Sequence, residues 1–311
     1  MKQFTRKLNV VYNRGGGNIL LPQRLSPGGN ALNLARGLSA LGARTKAIVA
    51  TNKLGQEFLR QSGLTKLALI KPVGELSITT SIELRRGDST ANIMISDSGS
   101  VRDFGPEKLR ANDWRTILAS KWVCVVNWAQ NRKGTLLARE VFEKSKDANC
   151  RTFFDPGDLT LRPGRVKGLV TQALRKGILD VLSLNLSELV LLGSKMGHRL
   201  RAHHGPKRIL DLLRTVSLAT GVTVDMHSTR FSASSDGSEV WQSPCLRVTP
   251  SVATGAGDIW NATDIAGYEL GLADVNRLLL ANLVAGFYVS KGLPPSISDA
   301  LKFAKRIVRT A

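Results

Sequence analysis

Short apolar runs of strand length alternate with longer amphipathic stretches along most of the chain, and this rhythm restricts the fold more than any other feature. "TKAIVAT" (45–51), "WVCVVNW" (122–128), "CRTFFDP" (150–156), "ILDVLSL" (178–184) and "GVTVDMH" (221–227) have the apolar, largely β-branched or aromatic character of buried strands. Between them, "NALNLARGLSALG" (30–42) puts Leu34, Leu38 and Leu41 on one helical face and stops at Gly42. "GTLLAREVFEKSKDA" (134–148) and "PKRILDLLRTVSLATG" (206–221) repeat the arrangement. Strands that alternate with helices form a mostly parallel sheet with helices on both faces, so the expected class is α/β, a three-layer α/β/α sandwich.

One section departs from the rhythm. "SITTSIELRRGDSTANIMISDSGSVRDF" (77–104) alternates polar and apolar residues, with turn signals at "RGD" and "DSGS". That predicts antiparallel strands with one solvated face. The opening "KLNVVYN…NILLPQRL" has the same character. With no internal repeat or low-complexity linker, the expectation is a single domain over residues 1–311. Its small β-sheet lid would be built from about 1–27 and 75–104 and would close over the ends of the body's strands.

Bulk properties exclude several classes. No window approaches eighteen consecutive apolar residues, so no membrane span is expected. Cys124, Cys150 and Cys245 are scattered without a CxxC pair, which fits reduced thiols in a cytoplasm and neither a disulfide framework nor a zinc site. The net charge of +20 favours nonspecific binding of polyanions, but the chain carries no helix-turn-helix, zinc-finger or RNP motif. The basic stretch "GSKMGHRLRAHHGPKR" (193–208) holds His198, His203 and His204 without a neighbouring Asp, Glu or Cys, a poor metal site.

Three short constellations carry chemistry. In "TPSVATGAGDIWNATDIAGYELGL" (249–272), Gly255-Ala256-Gly257 leads straight into a helix whose first turn holds Asp258. Glycines let successive N–H groups converge on an oxyanion, and the helix dipole is positive at that end. A carboxylate beside such a nest can take the proton from an attacking hydroxyl, a combination suited to phosphoryl transfer to an alcohol, although Asp is also a common cap at a helix start. In "SPGGNALNLARGLSALG" (26–42), Gly28 and Gly29 allow close backbone approach and Asn30 and Asn33 can bind sugar hydroxyls, or Asn30 can cap the helix. In "LNLSELVLL" (184–192), Asn185 and Glu188 stand three apart after a strand. That spacing fits either a carboxylate that holds hydrated Mg²⁺ or a capping box.

Taken together and in this order, the three resemble the phosphofructokinase-B-type, or ribokinase-like, sugar kinases. "GGNALNLARGLSALGARTKAIVATNKLGQEFL" is similar to the family's N-terminal signature, Asn185 and Glu188 match its N-x-x-E, and "SVATGAGDIWNA" matches its D-T-x-G-A-G-D without the opening Asp-Thr. The resemblance spans about residues 15–292. It implies a ribokinase-like fold and a Mg²⁺-dependent transfer of the terminal phosphoryl group of ATP to a carbohydrate hydroxyl. Asp258 would be the general base, and Gly255, Ala256 and Gly257 the anion hole. Gly28, Gly29, Asn30 and Asn33 would line the acceptor pocket. Asn185 and Glu188 would organise Mg²⁺ and phosphate through water, and Asn282 and Gly286 would wall the nucleotide. Family lids also pair in some dimers, which makes a homodimer through the lid a candidate assembly.

Departures leave alternatives open. "DMHSTRFSAS" (225–234) lacks the glycines of many ATP-dependent members and is similar to a His-Thr stretch of archaeal ADP-dependent relatives, so ADP is the alternative donor. The family's first Gly…Asp strand is not visible. Either the true start lies upstream or the pocket is built without it, with Asn18 as a hydroxyl ligand and Arg14 beside it. The rival functions are a nucleoside kinase and a catalytically weak binding or regulatory protein, RNA-associated through its charge.

Overall fold

The computed structural model describes residues 2–86, 89–175, 177–200 and 205–310. From the N-terminus the elements are α1 (Lys2–Asn13), α2 (Asn30–Ala40), β1 (Ala47–Thr51), α3 (Lys53–Gln61), β2 (Ala68–Pro72), β3 (Ile78–Arg86), β4 (Ser89–Asp97), α4 (Ala111–Leu118) and β5 (Trp122–Val126). There follow α5 (Gly134–Asp147), β6 (Arg151–Asp155), α6 (Val166–Gln172), β7 (Val181–Asn185), α7 (Leu186–Lys195), α8 (Pro206–Thr220), β8 (Thr223–His227), β9 (Phe231–Ser235) and β10 (Val240–Pro244). Three helices close the chain: α9 (Ala256–Glu269), α10 (Asp274–Lys291) and α11 (Ile297–Thr310). Each of the five predicted strand runs overlaps a strand, with β7 beginning three residues into its run and ending one beyond it, and the three predicted helices are α2, α5 and α8.

Six strands form one sheet in the order β10-β9-β8-β7-β6-β5. β5 to β8 are mutually parallel, whereas β9 is antiparallel to both β8 and β10. Strand alternation sends Val123, Phe154, Leu182, Leu184, Val224 and Met226 into a core shared with α5, α7 and α8. The opposite face gives Phe153 and Val181 to a second core with Leu34 of α2 and Ala262 and Ile265 of α9. Helices on both faces make the three layers. The parallel strands all end at one edge, with Asn185 opposite His227 and Val126 opposite Asp155. That carboxyl edge is where open α/β sheets bind ligands.

β3 and β4 pair as an antiparallel hairpin from Ile78↔Asp97 to Arg86↔Ser89, as the alternation predicts. Residues 87 and 88 of the "RGD" turn lie outside the described residues, as do His203 and His204. The strand expectation for residues 1–27 is corrected. Residues 2–13 are helical, because Phe4, Leu8 and Val11 recur at helical spacing and only Phe4 and Val11 of these are half-buried. Residues 16–29 take no regular structure, since Gly16, Gly17, Pro22 and Pro27 interrupt them. β1 and β2 form a separate parallel pair, and α2 packs on both β1 and β5 without a strand of the described residues joining the two sheets.

Beneath the sheet's α9–α10 face lies a buried ionic network. Arg277 of α10 is fully buried and donates to Asp264 of α9, to Asp225 of β8 (3.2 and 3.3 Å), to Ser234 (3.0 Å) and to Asp274 (2.8 Å). Its guanidinium carbon lies 3.8 Å from the centre of the Tyr268 ring, and the Tyr268 hydroxyl donates to Asp225 at 2.9 Å. One cation therefore holds two buried carboxylates and ties α9 to the sheet. Arg277→Met removes the cation and leaves both acids buried. The expected loss, read by urea denaturation, is about 3–5 kcal/mol, the usual consequence of breaking a buried pair.

Candidate active site

Asp258 sits in the first turn of α9, at the carboxyl edge of the sheet. The turn before it works because Gly255 adopts φ 85°, and a Cβ there would also stand 2.9 Å from the Tyr288 hydroxyl. α2 lies alongside: a Cβ on Gly37 would meet the Ala262 Cβ at 2.6 Å, so the glycine permits this close helix approach. The approach brings two amides to the acid. Asn30 Nδ2 donates to Asp258 Oδ1 at 3.0 Å, and Asn33 Nδ2 donates to Oδ2 at 2.8 Å. Asp258 is thus held by α2 across the molecule rather than by its own helix. Gly29, at φ 96°, is the N-cap of α2, while Gly28 is exposed in the irregular segment before it.

The N–H nest is narrower than the motif suggests. The Ala256 N–H turns back to the Ala253 carbonyl at 3.2 Å. Among the described residues, the N–H groups of Gly255, Gly257 and Asp258 carry no hydrogen bond, and they are the donors open to an oxyanion. Tyr288 Oη steadies the turn by donating to the Thr254 carbonyl at 2.8 Å.

Asn185 and Glu188 form the capping box at the start of α7. Glu188 N donates to Asn185 Oδ1 at 3.0 Å, and Asn185 N donates to Glu188 Oε2 at 2.8 Å. Asn185 Nδ2 also donates to Glu188 Oε1 at 2.6 Å. The capping role does not isolate the acid. Glu188 is buried, and burial, followed by the charge of Asp155, raises its carboxyl well above the usual range.

None of the three motifs points to Asp155. It ends β6, accepts from Asn261 Nδ2 at 2.6 Å and from Gly157 N at 2.8 Å, and is itself raised by burial. Asn261 Oδ1 accepts in turn from Ser183 Oγ at 2.6 Å, which locks α9 to β6 and β7. The sequence signal for Asp155 is its place as an acid at the carboxyl end of a buried parallel strand. His227 ends β8 beside Gly257. Its ring is tilted against Trp260 at 5.2 Å, and burial lowers its pKa to about 4, so it is neutral at pH 7.

Three candidates make no hydrogen bond to Asp258, Asp155 or Glu188. Asn282 is buried, with Oδ1 accepting from Trp260 Nε1 at 2.9 Å and Nδ2 donating to the carbonyls of Ser243 and Pro244 at 3.3 and 3.0 Å. Its amide ties α9 and α10 to β10. Gly286 faces Leu246 and Val248 in ordinary packing. Asn18 is exposed and makes no hydrogen bond to Asp258.

No protein-family model and no curated protein sequence matches the chain. Its likeness is to solved structures. The adenosine kinase from Sinorhizobium meliloti is 21% identical, with a TM-score of 0.69 over 97% of this chain and 88% of that one. The ribokinase from Thermotoga maritima is 18% identical, with a TM-score of 0.69 over 94% and 92%. The chain has the ribokinase-like fold. The fructokinase with bound ATP from Xylella fastidiosa, 14% identical, superposes with a TM-score of 0.70 over 92% of this chain and 94% of that one.

Within this ribokinase-like frame the electrostatics of Asp258 are measurable. Burial and then the Asp155 charge raise its carboxyl to about 7, against the opposing hydrogen bonds from Asn33 and Asn30. An acid with a raised pKa holds its proton more tightly folded than unfolded. Its contribution to stability is complete below about pH 4 and is lost as pH rises through 7. Each tenfold gain in proton affinity on folding is worth about 1.4 kcal/mol. Urea denaturation from pH 4 to pH 8 should show the wild type losing stability, with a shallower slope for Asp258→Asn. Parallel slopes would place the titrating group elsewhere.

Proposed function

We propose that this protein is a carbohydrate kinase that moves the terminal phosphoryl group of ATP onto a sugar hydroxyl. The observation that carries the proposal is Asp258: a buried carboxyl with a pKa of about 7, beside three N–H groups open to an oxyanion at the N-terminus of α9. A base poised near the working pH is efficient in proton transfer. Asn30 and Asn33 fix its orientation, so the acceptor hydroxyl is deprotonated as its oxygen attacks. The N–H groups of Gly255, Gly257 and Asp258, backed by the helix dipole, stabilise the charge that builds on the transferred phosphoryl group. The fructokinase neighbour binds ATP, which supports ATP rather than ADP as donor.

The donor set fits Mg²⁺. Asp155 and Glu188 supply hard carboxylate oxygens, and their mutual charge at close quarters is what a cation relieves. The two would hold the ion through water, since the Glu188 oxygens already serve the capping box. Such an ion supplies neutralisation of phosphate charge. The chain's own residues orient the acceptor, accept its proton and hold the oxyanion.

The acceptor is read as a sugar because the lid sequence 75–104 is poor in aromatic residues on which a base could stack, with Phe104 alone at its end. A nucleoside acceptor is the second reading, favoured by the similarity to an adenosine kinase. No described helix is long and apolar enough to cross a membrane, and the three cysteines are free, in keeping with the cytoplasmic placement that completes the proposal. The +20 charge adds salt-sensitive, nonspecific affinity for polyanions. The lid's outer face carries Ile78, Ile93 and Ile95, exposed by 56%, 43% and 62%, which supports pairing of two copies through the lid.

A coupled assay of sugars and nucleosides, with ATP and ADP in parallel, tests the proposal. Asp258→Asn should fold and lose roughly 10²–10⁴-fold in kcat. A variant that keeps more than half the wild-type rate would reduce Asp258 to a structural acid. For the assembly, Ile95→Lys should lower the sedimentation coefficient from that of a dimer to that of a monomer. A wild type that sediments as a monomer removes the lid pairing.

A further inference from the structure

Residues 1–56 carry nine Lys and Arg and no acid, so all 24 Asp and Glu of the chain lie from Glu57 onward. Within this acid-free stretch stands α1, and its residues are sorted by polarity. Phe4, Leu8, Val11 and Tyr12 have the i, i+4, i+7, i+8 spacing of one helical face, while Arg6, Asn9 and Asn13 fall on the opposite one. Lys7 borders the apolar face.

The rest of the protein covers little of that face. Phe4 and Val11 are half-buried, whereas Leu8 is exposed and Tyr12 is exposed by 84%. Gly15, at φ 77°, ends the helix, and Gly16 N donates back to the Val11 carbonyl at 3.1 Å. A Cβ on Gly17 would lie 3.6 Å from the Val11 methyls, so the chain leaves alongside the helix. Leu20, Leu21 and Leu25 follow in the irregular segment and are all exposed, Leu20 by 89%. A basic helix and the segment after it thus turn apolar side chains to solvent, and such a surface marks an interaction site.

The partner must satisfy both halves of this chemistry. A polynucleotide offers phosphates to Arg6 and Lys7 but no apolar medium to Leu8, Leu20 and Leu21. A second copy docked on the same face would set Arg6 and Lys7 against their own counterparts, with no acid in the segment to pair them. The surface of a bilayer that contains acidic lipids offers both: a hydrocarbon layer a few ångströms beneath a layer of negative headgroups.

We propose that α1 is a membrane-surface helix. It lies in the plane of an anionic bilayer, with Leu8 and Tyr12 sunk to the acyl boundary and Arg6 and Lys7 among the lipid phosphates. Leu20 and Leu21 add to the inserted surface. Lys7, at the margin of the apolar face, runs its stem along the boundary and keeps its ammonium in the headgroup layer. The protein is held on a membrane without spanning it, whatever reaction Asp258 performs.

The test uses the full chain and sucrose-loaded vesicles of phosphatidylcholine, with or without about one-third phosphatidylserine. The wild type should sediment with the acidic vesicles and stay in solution with phosphatidylcholine alone. Leu8→Gln combined with Tyr12→Gln should lower the partition coefficient roughly tenfold or more, because two apolar side chains lose their burial. Arg6→Gln combined with Lys7→Gln should lower it roughly tenfold. Lys207→Gln combined with Arg208→Gln removes the same charge from the exposed start of α8 and should bind within about twofold of the wild type. All six side chains are exposed, so the variants should melt with the wild type. Polyuridylate should bind the wild type and the Leu8, Tyr12 variant alike, since their charge is the same. Equal partition of that variant and the wild type, equal losses in the α1 and α8 charge variants, or binding to phosphatidylcholine as strong as to the acidic vesicles would overturn the membrane helix. So would a dimer that needs Leu8 and Tyr12 without vesicle binding, which gives the face to a second copy, or polyuridylate binding that needs them, which gives it to nucleic acid.

Discussion

Two hydrogen bonds between α2 and the first turn of α9 hold the buried acid Asp258 in place. Asn30 and Asn33 reach Asp258 across 228 and 225 residues of sequence and satisfy both of its oxygens. Without them a carboxylate buried to 7% exposure would lack partners in a medium that penalises its charge. Their geometry depends on the close helix approach at Gly37, and the turn that offers its N–H groups depends on Gly255 at φ 85°. α2, which carries both amides, also packs on β1 and β5 and so ties this junction to two of the sheets.

The charge distribution is opposite to the one the composition suggests. A chain with 44 basic and 24 acidic residues keeps Asp155, Glu188 and Asp258 buried at the carboxyl edge of its sheet. Asp155 raises the pKa of both the other acids, and each is held by amide or backbone donors rather than by Lys or Arg. The Asp225–Asp264–Arg277 network is the opposite case. There the cation is part of the chain and the acids are structural. At the edge, no ion pair to Asp155, Glu188 or Asp258 occurs among the described residues, and the positive N-terminus of α9 with its unbonded N–H groups lies beside Asp258.

Much of this was legible from residues alone because local rules apply to it. The strand runs, the helices at 30–40 and 206–220, and the glycine turn into α9 follow from periodicity and from glycine's backbone freedom. Asn185 and Glu188 fit both a capping box and a metal carboxylate; they form the box, and the same geometry turns Glu188 towards Asp155. Where the period was ambiguous, at 2–13, a helix formed in place of a strand, since a lid strand needs a partner and among the described residues none pairs with this segment. Asn282 was drawn into packing because the nearby Trp260 N–H needs an acceptor in the dry interior.

By itself the sequence determined the α/β class, the hairpin at 78–97 and the identity of the acid at the start of α9, each set by patterns a few residues wide. Only the tertiary structure decided which groups meet: Asp155 with Glu188 and Asp258, and the two Asn amides on Asp258. The reason is physical. Propensity and periodicity act through neighbours along the chain. The pKa of a buried acid is set by desolvation and charge at a few ångströms, between residues that folding brings together from far apart in the sequence.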